Sequence, residues 1–261
     1  MKKVLFTGAR SGIAHATIKR LLDYDYEIYV TVHTDKQLEL VKEAYQEYNN
    51  VICLKLDITN PEDLKQLESI DVDILVNNAA IGESGSIAEI PMDKVRNNFE
   101  VNVFSFFSVV QIVLKRMMQK GEGKIILMSS LVGIIPLDFL GVYSATKASI
   151  IKLATTLKNE LKLVDNDIKI VLIEPGTYHT GFNQVMLNKK YDWMHKDSYF
   201  SQEIEEIRRR ETMLFGTLEK RCLNSIVNKI EKAITSNNPR FVYRAPFSQA
   251  MLAKVYSFFA N

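Results

Sequence analysis

Disulfides, metal clusters and membrane spans all find little support in this chain. Only Cys53 and Cys222 occur among 261 residues, too few for a disulfide framework. Cys53 lies inside the apolar run 51–56 and reads as a small buried hydrophobe. His15, His179 and His195 share no ligand spacing with the cysteines or with one another, so no metal is expected. The 33 basic side chains nearly balance the 31 acidic ones, and a net charge of +2 gives no reason to expect nucleic acid as a partner. No apolar stretch approaches the length of a bilayer span. Only three apolar residues follow Lys2 and Lys3, too few for a signal peptide. The expectation is a cytoplasmic protein without membrane association.

What is present is an alternation. Short apolar runs at 3–7, 27–32, 51–56, 73–76, 124–128, 169–173 and 240–243 are separated by helical patterns. Their hydrophobicity is continuous rather than alternating, the mark of strands buried on both faces of a parallel sheet. Val103, Phe106, Phe107, Val110, Leu114, Met117 and Met118 keep helical spacing, as do Ile150, Leu153, Ala154, Leu157, Leu161 and Val164. The implied fold class is α/β: a single-domain doubly wound Rossmann-type parallel sheet flanked by helices, with ligand at the carboxyl ends of the strands. The domain spans 1–261, with a substrate-loop or lid insertion at about 181–235 that breaks the rhythm and is rich in large side chains. Within it, Glu205 and Glu206 stand four residues before Arg209 and Arg210, so the triple arginine reads as one solvated helix face.

Two motifs carry chemistry. LFTGARSGIA, residues 5–14, is a glycine turn directly after an apolar run and directly before a helical pattern. There, glycines permit close backbone approach and the helix N-terminus offers unpaired N–H groups to a pyrophosphate. Further on, Tyr143 and Lys147 are four apart on one helical face, and Ser130 ends an apolar strand 13 residues before the tyrosine. A phenol titrates at about 10, and a neighbouring ammonium favours the phenolate. Tyrosine, lysine and serine together can move a proton onto or off a carbonyl oxygen while a hydride moves elsewhere. Either motif alone is weak. Both in one chain, in this order, are not.

With these motifs the chain resembles the short-chain dehydrogenase/reductase family. Thr7-Gly8-x-x-x-Gly12-Ile13-Ala14, Asp57-Ile58, Asn77-Asn78-Ala79-Ala80, Asn102, Ser130, Tyr143-x-x-x-Lys147 and Pro175-Gly176-x-x-x-Thr180 follow in family order across residues 1 to 182. Ala14 stands at the usual third glycine and Ala80 at the glycine that closes the asparagine motif; both are the smallest change available. The resemblance implies Tyr143 as general acid or base, Lys147 as depressor of the tyrosine pKa and ligand of the nicotinamide ribose, and Ser130 as the group orienting the substrate oxygen. Ser129 would point the other way. Asn102 would mark a backbone bend holding a proton-relay water near the lysine. Thr7, Gly8, Arg10, Ser11, Gly12 and Ile13 would form the dinucleotide turn. Asp57 and Ile58 would meet the adenine, although an aspartate after a strand is often a turn cap. Asn78 and Ala79 would support the cofactor floor, and Pro175, Gly176 and Thr180 would meet the nicotinamide end.

His33 stands where NAD-preferring relatives place an aspartate that bonds the ribose hydroxyls. Its absence removes a charge that would repel a 2′-phosphate, and His33, Thr34 and Arg10 can donate to one. NADP(H) is therefore favoured, with NAD(H) left open.

Leu131, Val132, Ile134, Ile135, Leu137, Phe139 and Leu140, with Phe182, Met186, Trp193 and Met194, suit a bulky lipophilic ketone or alcohol, steroid-like, better than a sugar. The two long helix patterns correspond to the family's dimer-forming helices, which implies a homodimer or homotetramer. The apolar closing segment, 247–259, is expected to pack on its own or a neighbouring subunit. Two rival readings remain on the same fold. A dinucleotide-sensing binding protein would lose the tyrosine or lysine, and an epimerase or dehydratase would need a larger C-terminal part.

Overall fold

The computed structural model describes residues 1–195 and 197–259. Seven strands run in chain order: β1 (Lys2–Phe6), β2 (Tyr26–Val32), β3 (Val51–Lys55), β4 (Ile74–Asn77), β5 (Glu122–Met128), β6 (Asp167–Pro175) and β7 (Val242–Ala245). They form one sheet in the order β3-β2-β1-β4-β5-β6-β7, every neighbouring pair parallel. The last expected strand lies two residues later than the apolar run suggests. Its pairing with β6 continues through Glu174↔Arg244 and Pro175↔Ala245, and the Arg244 guanidinium meets the buried Glu174 carboxylate. An ion pair, invisible to an apolar-run reading, extends the strand.

Helices α1 (Gly12–Leu21), α2 (Asp35–Tyr45), α3 (Pro61–Ser69), α4 (Met92–Phe99), α5 (Phe106–Lys120) and α6 (Gly141–Leu161) follow the first strands. α7 (Phe182–Asn188), α8 (Ile204–Leu218), α9 (Asn224–Thr235) and α10 (Phe247–Phe259) complete the chain. Local chemistry starts several of them. Thr34 accepts the Gln37 N–H ahead of α2, and Asn60 accepts the Glu62 N–H ahead of α3, with Pro61 at its first position. Gly121, at φ 75°, ends α5 in the left-handed conformation.

Strand periodicity divides the interior into two cores. Val4, Phe6, Ile126, Met128, Val171 and Ile173 face one side with α1, α2 and α9, while Leu5, Ile125, Leu127, Ile170 and Leu172 face the other with α3, α5 and α6. The insertion expected at 181–235 therefore divides. α9 buries Ile226, Ile230, Ala233 and Ile234 in the first core, as an ordinary crossover helix, so only 182–218 lies outside the layered sheet. Lys124 on β5 was read only as part of an apolar run; buried, it caps α9 by donating to the carbonyls of Ile234 and Ser236.

Among the described residues one continuous helical run, Met92–Lys120, is long and apolar enough to cross a membrane by length and composition. This corrects the expectation that no such stretch exists. Its Phe106, Val109, Val110, Val113 and Met117 line the second core, as in the core helix of a layered sheet. The closing segment, expected to pack on its own or a neighbouring subunit, forms α10. In α10 only Ala253 is buried, and Phe247, Met251, Leu252, Val255, Tyr256, Phe258 and Phe259 are exposed, so this chain does not cover its own last helix.

Candidate active site

The strand order reverses direction between β1 and β4, the crevice where ligands bind in such sheets. Gly8 and Gly12 follow β1 at φ 64° and 67°, a region that side chains with a Cβ rarely occupy. A Cβ on Gly8 would lie 2.7 Å from Ala79 Cα, and one on Gly12 would lie 3.3 Å from Thr180 Cβ. The turn is thus close-fitted to the β4 and β6 loops. Ser11 precedes α1 without capping it, and no acidic residue occupies its first turn, which leaves the helix dipole open to an anion. These features fit the phosphates of a dinucleotide.

Thr7 ties the floor together. Its hydroxyl donates to Asn77 Oδ1 (2.9 Å) and accepts from the backbone of Asn78 (2.8 Å) and Ala79 (3.0 Å). Asn78 Nδ2 returns to the carbonyls of Thr7 (3.1 Å) and Gly8 (2.9 Å), the supporting role expected of it. Ile13 packs against the first core and Ile58 is buried. Arg10 and His33 are both exposed, on the edge where Ala9 N–H meets the Thr31 carbonyl (2.9 Å). One carboxylate oxygen of Asp57 caps its own turn, accepting from Thr59 N (2.9 Å) and Oγ1 (2.7 Å).

Ser130, Tyr143, Lys147 and Asn102 gather at the ends of β4, β5 and β6. Ser129 turns toward α6 and donates to the Lys147 carbonyl (2.9 Å), whereas Ser130 faces the β6 turn and donates to the Pro175 carbonyl at 3.3 Å. Lys147 Nζ donates to the Met128 carbonyl (3.0 Å) and lies 5.6 Å from the centre of the Tyr143 ring. Both side chains are buried. Burial pushes the tyrosine above its ordinary range and pulls the lysine down to about 7. This differs from the expected phenolate, because a lysine that sheds its proton near neutrality gives little Coulombic help.

Asn102 sits in a π-helical turn, Glu100–Ser105. Its side chain donates to the Ile81 carbonyl (2.8 Å) and to Thr146 Oγ1 (3.1 Å), and it accepts the Ile81 N–H (2.9 Å). That joins the β4 loop to the residue before Lys147.

A protein-family model described as short chain dehydrogenase matches residues 2–190. The chain belongs to that family. Estradiol 17-beta-dehydrogenase 2 of Mus musculus is 28% identical over 262 residues, covering 93% of this chain and 67% of that protein. The 3-ketodihydrosphingosine reductase of Bacteroides thetaiotaomicron is 26% identical over 260 residues, covering 96% and 90%. A short chain dehydrogenase/reductase of Burkholderia phymatum, solved in complex with NAD, superposes with a TM-score of 0.81 at 19% identity, over 99% and 94% of the two chains.

The segment 182–218 covers the tyrosine. Phe182 lies 5.8 Å from Tyr143 between ring centres, and Leu140 and Met186 complete the apolar cover. The segment is fastened to the β4 loop: Ser84 Oγ donates to the Met186 carbonyl (2.6 Å) and Lys189 Nζ to the Gly82 carbonyl (2.9 Å). Phe139, at φ 60°, meets Phe200 edge-on at 5.4 Å. Inside the segment Lys190 is fully buried, 2.7 Å from Glu211, which also accepts the Tyr191 hydroxyl (2.9 Å). Glu219 clasps the two ends, accepting from Asn183 (2.8 Å), Gln184 (2.9 Å) and His179 (2.8 Å). None of these fastenings has a local sequence signal, since their partners lie 20 to 107 residues apart.

Proposed function

We propose that the chain is a nicotinamide-dinucleotide-dependent oxidoreductase that interconverts a lipophilic ketone or aldehyde and its alcohol. The observation that carries this reading is the burial of Tyr143 beside Lys147, under Phe182 and Met186. Gly8, Gly12 and the open N-terminus of α1 would hold the pyrophosphate; Thr180, Pro175 and Gly176 would hold the nicotinamide end, and Lys147 the adjoining ribose. When bound, the dinucleotide supplies or accepts the hydride.

The chain's own residues handle the proton. A tyrosine kept neutral by burial is a proton donor, so Tyr143 Oη protonates the carbonyl oxygen as the carbonyl carbon is reduced. The Ser130 hydroxyl, held by bonds of only 3.3 Å, turns to the same oxygen and steadies its growing charge. Lys147, titrating at about 7, is matched to restore the tyrosine proton near neutral pH. Val132, Leu137 and Leu140 with Phe182, Met186 and Phe215 surround the tyrosine with apolar surface, and the names of the steroid and sphingoid relatives agree with a lipophilic substrate.

Exposed Arg10 and His33 can donate to a 2′-phosphate and favour NADP(H) over NAD(H), with Asp35 two residues further on in the first turn of α2. A homodimer or homotetramer is supported by exposed Phe104 and Met118 on the long helical run, Leu153 on α6, and the open apolar face of α10.

The test is Tyr143→Phe, which keeps the ring and removes the proton. With reduction of lipophilic ketones followed at 340 nm, turnover should fall about 10²- to 10⁴-fold while dinucleotide binding persists. A variant within threefold of the unmodified enzyme would remove Tyr143 from the chemistry.

A further inference from the structure

Gln249 is the one polar side chain of α10 that reaches the β6 turn. Its Oε1 accepts the Thr177 N–H at 2.7 Å, and its Nε2 donates to the Leu218 carbonyl at 2.7 Å. The partners dictate the orientation of the amide, since a backbone N–H only donates and a carbonyl only accepts. One side chain therefore joins three parts of the molecule: the Pro175–Thr177 turn, the last residue of α8, and α10.

The surrounding geometry is built around this amide. A Cβ on Gly176 would lie 2.1 Å from Gln249 Oε1, so glycine at 176 makes room for it. Thr177 accepts the Lys220 N–H at 3.0 Å on its other side, and Lys220 in turn accepts the His179 N–H at 3.1 Å. Thr180 follows directly and stands against Gly12 across the glycine turn. Displacing Thr177 would move Thr180 relative to Gly12, and releasing Leu218 would loosen the exit of the segment that covers Tyr143.

We propose that Gln249 is a positioning residue, holding the dinucleotide turn and the exit of the covering segment in one fixed relation. It acts through Thr177 and Leu218. The inference rests on the dinucleotide seat proposed above, and two substitutions separate its bonds. Gln249→Met has similar length and loses both. Gln249→Glu keeps an acceptor for the Thr177 N–H but sets a carboxylate oxygen against the Leu218 carbonyl.

Trp193, the sole tryptophan, lies within the covering segment, and its fluorescence reports NADPH and NADH binding in the full chain. With Gln249→Met the dissociation constant should rise about tenfold, measured well below a thermal midpoint that itself falls by a few degrees as the Thr177 N–H loses its partner. Gln249→Glu should bind within about twofold of the unmodified protein but lose about three- to tenfold in kcat, the scale of one lost hydrogen bond. Variants equal to the unmodified protein in binding and kcat would overturn the proposal, as would losses that merely track a lowered thermal midpoint. Should Gln249→Met fail to fold, Gln249→Glu decides: retained binding with lowered kcat supports the role, and unchanged kcat ends it. Failure of the unmodified protein to bind either dinucleotide would remove the seat and this inference together. Normal binding with inert variants would remove the inference alone.

Discussion

Replacing Lys147 by methionine should stabilise the fold in mild acid while ending turnover. The lysine is fully enclosed, and its pKa of about 7 instead of 10.5 reflects the cost of burying an ammonium. At roughly 1.4 kcal/mol per tenfold change in proton affinity, that cost is on the order of 5 kcal/mol. Methionine matches the stem without the charge, but it leaves the Met128 carbonyl without the bond it accepts at 3.0 Å, a loss of about 1–3 kcal/mol. Below pH 7 both folded and unfolded lysine carry the proton and the native state bears the full burial cost. Between 7 and 10.5 the unfolded chain binds more protons than the folded one, so the stability of the unmodified protein rises with pH. The advantage of Lys147→Met should thus be about 2–4 kcal/mol at pH 6, and it should shrink by about 1.4 kcal/mol per pH unit above 7. Urea unfolding of both proteins at pH 6, 7.5 and 9 measures this difference, and other titrating groups cancel between them. A difference that is constant with pH, or destabilisation at pH 6, would refute the burial argument.

Other substitutions probe the rest of the site. His33→Asp places a carboxylate at the exposed edge beyond β2 and should lower the NADPH-to-NADH preference in kcat/KM about three- to tenfold, the scale of a ~1 kcal/mol exposed charge interaction; an unchanged ratio would remove His33 from cofactor selection. Gly12→Ala forces a Cβ into a left-handed residue 3.3 Å from Thr180 and should cost about 1–2 kcal/mol in urea unfolding, with dinucleotide KM raised further. Light scattering at micromolar concentration should give at least twice the 29.9 kDa chain mass, and a monomer would contradict the reading of the exposed apolar faces.

The layered sheet was readable because burial on both faces leaves runs such as 124–128 and 169–173 without a polar break. Two turn glycines, an asparagine pair and a tyrosine–lysine spacing then marked the ends of β1, β4 and α6. Geometry at single residues was readable to the same depth. Ser129 and Ser130 do point to opposite sides. The misses share a physical origin. Lys124 passed as the first residue of an apolar run because its partners, the carbonyls closing α9, lie more than 100 residues away. Glu174 and Arg244 extend β7 through a pair that hydrophobic runs do not register. Gln249 looked like one polar residue in an apolar tail, whereas its meaning lies in the turn it reaches.

The segment 182–218 shows why the chemistry was harder to read than the fold. A tyrosine four residues before a lysine suggests a phenolate beside an ammonium, and that holds only where the pair is solvated. Here Phe182, Leu140 and Met186 close over the ring, and the lysine is spent on a backbone carbonyl. Under that cover the neutral forms of both groups are favoured, the tyrosine held above its ordinary range and the lysine below its own. The cover itself is held by a buried Lys190–Glu211 pair, by Glu219 across its two ends, and by Gln249 at its exit. Residue identity names the tyrosine–lysine pair, and the contacts that fasten this segment set how deeply that pair is buried.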